Sequence, residues 1–188
     1  MIICVDFDGV VADTGALRRK WLRDSIGLND PFLSMNRTEL LPAIGAEIYE
    51  RMQEELGYSK TLTAVPIIGA IEALKELSQV VDVHLLSSRS DARLEWARRW
   101  LEQFYVLKYF TSTRSACSMP KSRILESLRS EYLVDNDPRH FDQLPKNAKG
   151  ILFQQKENHL LSSRAFIAMY DWKSIVKYIC GQVVDKRG

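Results

Sequence analysis

At 188 residues the chain has room for one full domain and a small insertion, and its 46% hydrophobic and 27% charged residues exclude a disordered chain. Lysine and arginine number 26 against 24 aspartate and glutamate, a net charge of +2 that excludes a global polycation and by itself indicates no large nucleic-acid surface. Cys4, Cys117 and Cys180 are an odd count without CxxC or Cys/His spacing, the first aspartate falls at position 6 and no apolar run approaches the ~20 residues of a membrane span. These features point away from a disulfide framework, a structural zinc site, a signal peptide and a membrane segment, and towards a cytoplasmic protein.

The first predicted element is a strand at Ile2-Ile3-Cys4-Val5, a β-branched run that ends in Asp6-Phe7-Asp8-Gly9. Apolar runs without alternation fit strands buried on both faces, as in a parallel sheet. The stretch 15–64 lacks such a run and carries helical patches at Ala16–Ile26 and Ile44–Leu56, split by Asn29-Asp30-Pro31. Its seven basic and seven acidic side chains cancel. A neutral helical insertion at this point reads as a cap over the sheet's carboxyl edge, dividing the chain into a core of 1–14 and 65–188 and a cap of 15–64.

A helix is predicted over Ile67–Leu77 from Ile67, Ala70, Ile71, Leu74 and Leu77, then a strand over Val80–Leu86 that stops at Ser87-Ser88-Arg89. The stripe Trp96, Ala97, Trp100, Leu101 and Phe104 makes 91–104 helical, with the tryptophans as core. Tyr109-Phe110-Thr111 reads as a short strand, and Pro120 as the first turn of a helix through Ile124, Leu125 and Leu128. Tyr132-Leu133-Val134 and Gly150–Phe153 complete the strands, the former stopping at Asp135-Asn136-Asp137-Pro138, and a further helix starts at Asp171-Trp172. Strands alternating with helices give an α/β fold, a Rossmann-like parallel sheet with helices on both faces.

In such a sheet ligands bind beyond the carboxyl ends of the strands, where this sequence puts Asp6, Asp8, Ser87 and Asp135. Aspartates gathered there repel unless a cation neutralises them, and an all-oxygen set suits a hard divalent ion such as Mg²⁺ better than zinc. Asp13 reads as a loop acceptor of backbone hydrogen bonds, and His84 as a satisfied core histidine. His140 and His159 have no informative spacing.

Asp6-Phe7-Asp8-Gly9-Val10-Val11-Ala12-Asp13-Thr14 resembles the first motif, DxDGxxxDT, of the haloacid dehalogenase superfamily. Leu85-Leu86-Ser87 resembles its second motif, Lys121 its third and Asp135 its fourth, in the same order, and the insertion sits where that family places its first cap. The resemblance implies a phosphoric monoester hydrolase working through an aspartyl phosphate. Asp6 is then the nucleophile and Asp8 the proton carrier. Gly9 lets the chain turn at positive φ. Ser87 and Lys121 bind phosphate, with Ser88 and Arg123 as their rivals. Mg²⁺ lies between the Asp6 carboxylate, the Asp8 backbone carbonyl and Asp135. Asn136 stands where many members carry a second acid and becomes a candidate to orient a metal water, with Asp137 as a compensating charge.

Asp8 favours a phosphatase over a dehalogenase, because an ester oxygen needs a proton to leave, and the ion-pump signature DKTGT is absent. A looser likeness to 5′-nucleotidase-like members makes the expected substrate a nucleoside monophosphate. A sugar-phosphate or phosphoglycolate phosphatase and a non-catalytic binding member are the alternatives. Residues 84–123 hold eight Lys/Arg against three Asp/Glu, an excess able to attract phosphates, and Ser88 and Arg89 are candidate substrate ligands. Arg18, Arg19 and Trp21 are candidate specificity residues of the cap.

Overall fold

A computed structural model describes residues 1–154 and 165–185, so His159 lies outside the described residues. Six strands form one parallel sheet: β1 (Ile2–Val5), β2 (Asp82–Ser87), β3 (Ser112–Ser115), β4 (Tyr132–Asp135), β5 (Lys149–Phe153) and β6 (Phe166–Met169). Their spatial order is β3-β2-β1-β4-β5-β6. Side-chain alternation sends Ile3, Val5, Val83, Leu85, Val134 and Ile151 to one face. There they pack against helices α4 (Ala70–Leu77), α5 (Asp91–Gln103) and α7 (Trp172–Asp185). Cys4, Leu86, Leu133 and Leu152 occupy the other face with Ile124 and Leu125 of α6 (Lys121–Leu128). Both faces are therefore covered, which is what the continuous apolar runs predict. Trp100 is fully buried, its indole N–H donating to the Ala64 carbonyl at 2.8 Å.

Residues 14–56 fold into three helices, α1 (Thr14–Ile26), α2 (Arg37–Ile44) and α3 (Ala46–Leu56). Trp21, Leu22, Met35, Leu40, Ile44, Tyr49 and Met52 form an apolar cluster of their own, separate from the two beside the sheet. Asp13 caps α1, its Oδ1 accepting the Ala16 N–H at 2.9 Å, as read from sequence. His84 is likewise satisfied, its Nδ1 2.7 Å from Ser112 Oγ.

Several elements depart from expectation. The helix predicted from Ile67 begins only at Ala70. The Ile67 N–H donates to Val11 O at 2.9 Å and Pro66 bridges Ala12, so this segment is still bound to the loop after β1. The strand predicted at 109–111 lies three residues further on: Leu107–Tyr109 is a 3₁₀ turn, Phe110 plugs the core, and β3 starts at Ser112. Pro120 precedes α6 as its N-cap rather than sitting in its first turn. Helix α2 and strand β6 carry no sequence expectation at all.

Candidate active site

The chain runs from β1 outward through β2 to β3, then returns to the opposite side of β1 as β4. The crevice between the β1 and β4 ends is thus the point where strand order reverses, the usual ligand position in an open α/β sheet. Asp6 follows β1 and Asp135 ends β4. By strand alternation both share the face of Cys4 and Leu133, towards α6, whose first residue is Lys121. Lys121 Nζ donates to Asp6 Oδ1 and to Asp135 Oδ2, each at 2.7 Å, and all three side chains are buried. Arg123, the rival cation, is exposed.

Burial pushes the Asp6 carboxyl up to about 7, with the Asp135 and Asp8 charges adding to it and Lys121 opposing. Burial also works against the Lys121 charge, but Asp135 and Asp6 outweigh it and raise the ammonium above its ordinary value. Asp135 Oδ1 accepts the Asp137 N–H at 2.9 Å. Asp137 is ion-paired with Arg139, which holds its carboxyl below the usual range in spite of burial.

Gly9 has φ 75°, so the loop turns where a side chain would be strained, as the motif requires. Asp8, just before it, faces Arg89. Arg89 Nε donates to Asp8 Oδ2 at 2.8 Å and Nη2 to Oδ1 at 2.9 Å, a two-point fork. Burial alone would raise the Asp8 carboxyl, but the Arg89 charge and hydrogen bonds hold it well below the usual carboxylate range. The guanidinium lies 5.0 Å over the Phe7 ring. The sequence makes Arg89 a candidate substrate ligand; in the structure its hydrogen bonds run to protein groups and it borders the open space over Asp6 and Asp8. The two-point Asp8–Arg89 pair spans 81 positions and has no sequence signal beyond the SSR that ends β2.

Ser87 is fully buried, its Oγ accepting the Arg89 N–H at 3.3 Å, whereas Ser88 is exposed and lines the cavities. Alternation accounts for this, since Leu86 shares the Asp6 face and Ser87 falls on the other. Asn136 is not turned to Asp135: its Nδ2 donates to Asn36 Oδ1 at 3.2 Å, and Asn36 Nδ2 donates to the Asn136 carbonyl at 3.1 Å. This clasp joins the start of α2 to the end of β4.

A cavity of about 450 Å³ opens over Asp6, Asp8 and Asp135, with Arg18, Tyr49 and Gln53 on the opposite wall. A second, of about 240 Å³, adjoins Ser88, Lys121 and His140. Of the three cap residues singled out by sequence, Arg18 reaches the larger cavity. Arg19 is tied to the Leu33 carbonyl, and Trp21 is buried in the α1–α3 apolar cluster with its indole N–H on Glu55.

Two buried carboxylates with oxygen donors only fit a hard divalent cation; burial is the main cause of the raised Asp6 carboxyl, and the Asp135 and Asp8 charges that add to it are what such an ion would neutralise. The three aspartates do not gather by their side chains, because Asp8 is turned to Arg89. Among the described residues no three His, Cys, Asp or Glu side chains stand together as a metal-holding group.

No family model matches the sequence, and no curated protein matches it. Solved structures do. A haloacid dehalogenase-like protein of unknown function from Agrobacterium tumefaciens superposes with a TM-score of 0.67 at 12% identity, covering 96% of this chain and 98% of that one. The chain has the fold of the haloacid dehalogenase hydrolases. A family hydrolase from Deinococcus radiodurans, holding phosphate and sodium, gives a TM-score of 0.65 at 12% identity over 97% of this chain and 95% of its own. CbbY from Rhodobacter sphaeroides, in complex with xylulose-(1,5)bisphosphate, gives 0.62 at 12% over 91% and 94%. No helix among the described residues of this haloacid dehalogenase-type fold is long and apolar enough to cross a membrane.

Proposed function

We propose that the chain is a Mg²⁺-dependent phosphatase of small phosphorylated metabolites. The observation that carries this reading is the buried Asp6–Lys121–Asp135 cluster at the strand-order reversal, opening on a cavity of about 450 Å³. Asp6 attacks phosphorus, the bond from phosphorus to the ester oxygen breaks, and that oxygen leaves with a proton from Asp8. The Arg89 fork keeps Asp8 ionised, so Asp8 must first part from Arg89 and take up that proton from water. Water then attacks the aspartyl phosphate and loses its proton to Asp8, which restores Asp6 and releases phosphate. Lys121 holds Asp6 in place and balances its charge, and Ser88 is the better placed serine for a phosphoryl oxygen. Asp6, Asp135 and the Asp8 backbone carbonyl would hold Mg²⁺, which when bound supplies charge neutralisation at the phosphoryl group.

Residues 15–64 act as the cap over a core of 1–14 and 65–188, a division supported by the separate apolar cluster of α1–α3. A roofed cavity of this size suits a metabolite rather than a folded protein. A nucleoside monophosphate is the substrate we favour. A sugar phosphate is the second reading, supported by the sugar bisphosphate bound to CbbY. The test is turnover of p-nitrophenyl phosphate and of a metabolite panel with and without Mg²⁺. Mg²⁺-dependent release of phosphate is the expected result, and its absence on every substrate would favour a non-catalytic binding protein.

A further inference from the structure

Five arginines line the cavity over Asp6 and Asp8: Arg18, Arg37, Arg89, Arg93 and Arg139. Three of them are answered by carboxylates of the protein. Arg89 grips Asp8, Arg93 pairs with Glu54, and Arg139 pairs with Asp137. Arg18 and Arg37, both from the helical insertion, have no carboxylate partner among the described residues.

Each of the two is nevertheless held in place. Arg18, half-buried in α1, donates from Nη1 to the Met35 carbonyl at 2.8 Å, its one hydrogen bond among the described residues. A guanidinium has five N–H groups in a planar fork, so most of this one is open. Its charge joins that of Arg89 in lowering the Asp8 carboxyl against the effect of burial. Arg37 opens α2, where a cation opposes the helix dipole and an acid would suit it. Its guanidinium lies 5.6 Å over the ring of Tyr49, which is buried and lines the same cavity. A fork held by its face keeps its N–H edge for a ligand.

The two walls of the cavity therefore differ in charge. On the core wall the aspartates are answered by Lys121, Arg89 and Arg139. The facing wall holds Arg18 and Arg37 against one acid, Glu50, which is exposed. In the phosphatase reading Asp8 meets the leaving oxygen, so the space between Asp8 and this wall belongs to the leaving group.

We infer that Arg18 and Arg37 form a second anion site, and that the substrate carries there a second negative group, a phosphate or a carboxylate, besides the phosphoryl group that is transferred. The inference rests on the phosphatase reading and deepens it by naming the charge of the leaving group, on a nucleoside or a sugar scaffold. Either oxyanion can accept two parallel N–H bonds from a planar fork. An anion between the two guanidiniums also offsets their mutual repulsion.

The test is kcat/KM with Mg²⁺ present on two series. One is a set of alkyl monophosphates of equal length whose far end is a hydroxyl, a carboxylate or a second phosphate. The other compares adenosine 5′-monophosphate with adenosine 3′,5′-bisphosphate. In at least one series the charged far end should gain about tenfold or more over the neutral one, and the better of carboxylate and phosphate identifies the anion. Arg18→Gln and Arg37→Gln should each lower that ratio by about tenfold, mainly through KM. Arg37→Lys should restore part of it, since it keeps the charge and loses the fork. Equal kcat/KM for charged and neutral far ends in both series would overturn the inference, as would an Arg37→Gln loss of the same size on every ester. Arg37 is exposed, so should Arg18→Gln fail to fold, Arg37→Gln and Arg37→Lys decide by the same ratio. A wild-type protein inactive on every ester sinks the phosphatase reading itself, whereas an active enzyme indifferent to the far end sinks only the second anion site.

Discussion

Asp6 and Asp8 stand two residues apart, yet their charge partners anchor them to different parts of the molecule. Asp6 shares Lys121 with Asp135, and all three belong to the sheet edge and to α6. Asp8 is held by Arg89, whose remaining bonds run to Gly57 and Thr61 at the foot of the helical insertion and to the Arg93 carbonyl of α5. Removing one partner of a buried ion pair typically costs about 3–5 kcal/mol, so neither arrangement is idle ornament of the surface. The difference teaches that the site's charge is divided into a half fixed by the sheet and a half tied to the α1–α3 insertion. Substitutions in the first should damage chemistry and stability together, and substitutions in the second should act selectively.

The largest effect is expected from Asp6→Asn, which should lower turnover by about 10⁴-fold or more while far-ultraviolet circular dichroism stays unchanged. Activity within tenfold of wild type, once deamidation is excluded by mass spectrometry, would remove Asp6 as the nucleophile. Lys121→Met leaves Asp6 and Asp135 buried without their shared cation, and urea unfolding should show a loss of about 3–5 kcal/mol. Adding Asp6→Asn to that variant should recover part of the loss, since one of the two uncompensated carboxylates is then gone.

The pH dependence sharpens the same contrast. Asp6 is raised to about 7, and its ionised form is the nucleophile, so kcat/KM at low Mg²⁺ should rise with pH through that value. The native state also binds more protons than the unfolded chain between the ordinary aspartate range and about 7, so Asp6 lowers stability as pH rises across that window. Saturating Mg²⁺ favours the carboxylate and should move the rise in rate to lower pH. A rise already complete near pH 4 and indifferent to Mg²⁺ would contradict this account of Asp6. The smallest effect should come from Asn36→Ala, which removes the two hydrogen bonds of the clasp with Asn136. Stability should fall by about 1 kcal/mol in thermal unfolding, with turnover of p-nitrophenyl phosphate changed less than about threefold.

The same division marks what could be read from the sequence. Strands β1, β2, β4 and β5 are buried on both faces and announce themselves as apolar runs, so Asp6 and Asp135 were legible at their ends. Lys121 was legible through its place in the motif order. Strand β3, Ser-Thr-Arg-Ser at the sheet's edge, carries no apolar signal, and Phe110 beside it mimics one while serving as a core plug. Helix α2 buries only Leu40 and Ile44, with Pro42 between them, too little pattern to find. Strand β6 went unread: its apolar run Phe166–Met169 is only four residues at the sheet's edge, too short to tell a strand from a buried helical turn. Ser87 and Ser88 differ by one step of strand alternation, which requires knowing which face Leu86 takes. The Asp8–Arg89 and Asn36–Asn136 contacts join residues 81 and 100 positions apart, and no local period encodes them.

The strand that carries the nucleophile also has a kinetic consequence. β1 lies inside the sheet, yet Ile2 pairs with Asp82 and Ile3 with Tyr132. Both edges of β1 are therefore completed by chain synthesised much later, with the whole helical insertion made in between. Closing such long loops before any contact rewards them is the entropic step that slows parallel sheets. Until residues 132–134 arrive, Ile2–Val5 is an apolar strand with an unpaired edge, the kind of segment that seeks partners in other chains. Helices α1–α3 bury their own apolar cluster from contacts local in sequence, so they can form in that interval and stand as a structured spacer while the strand waits.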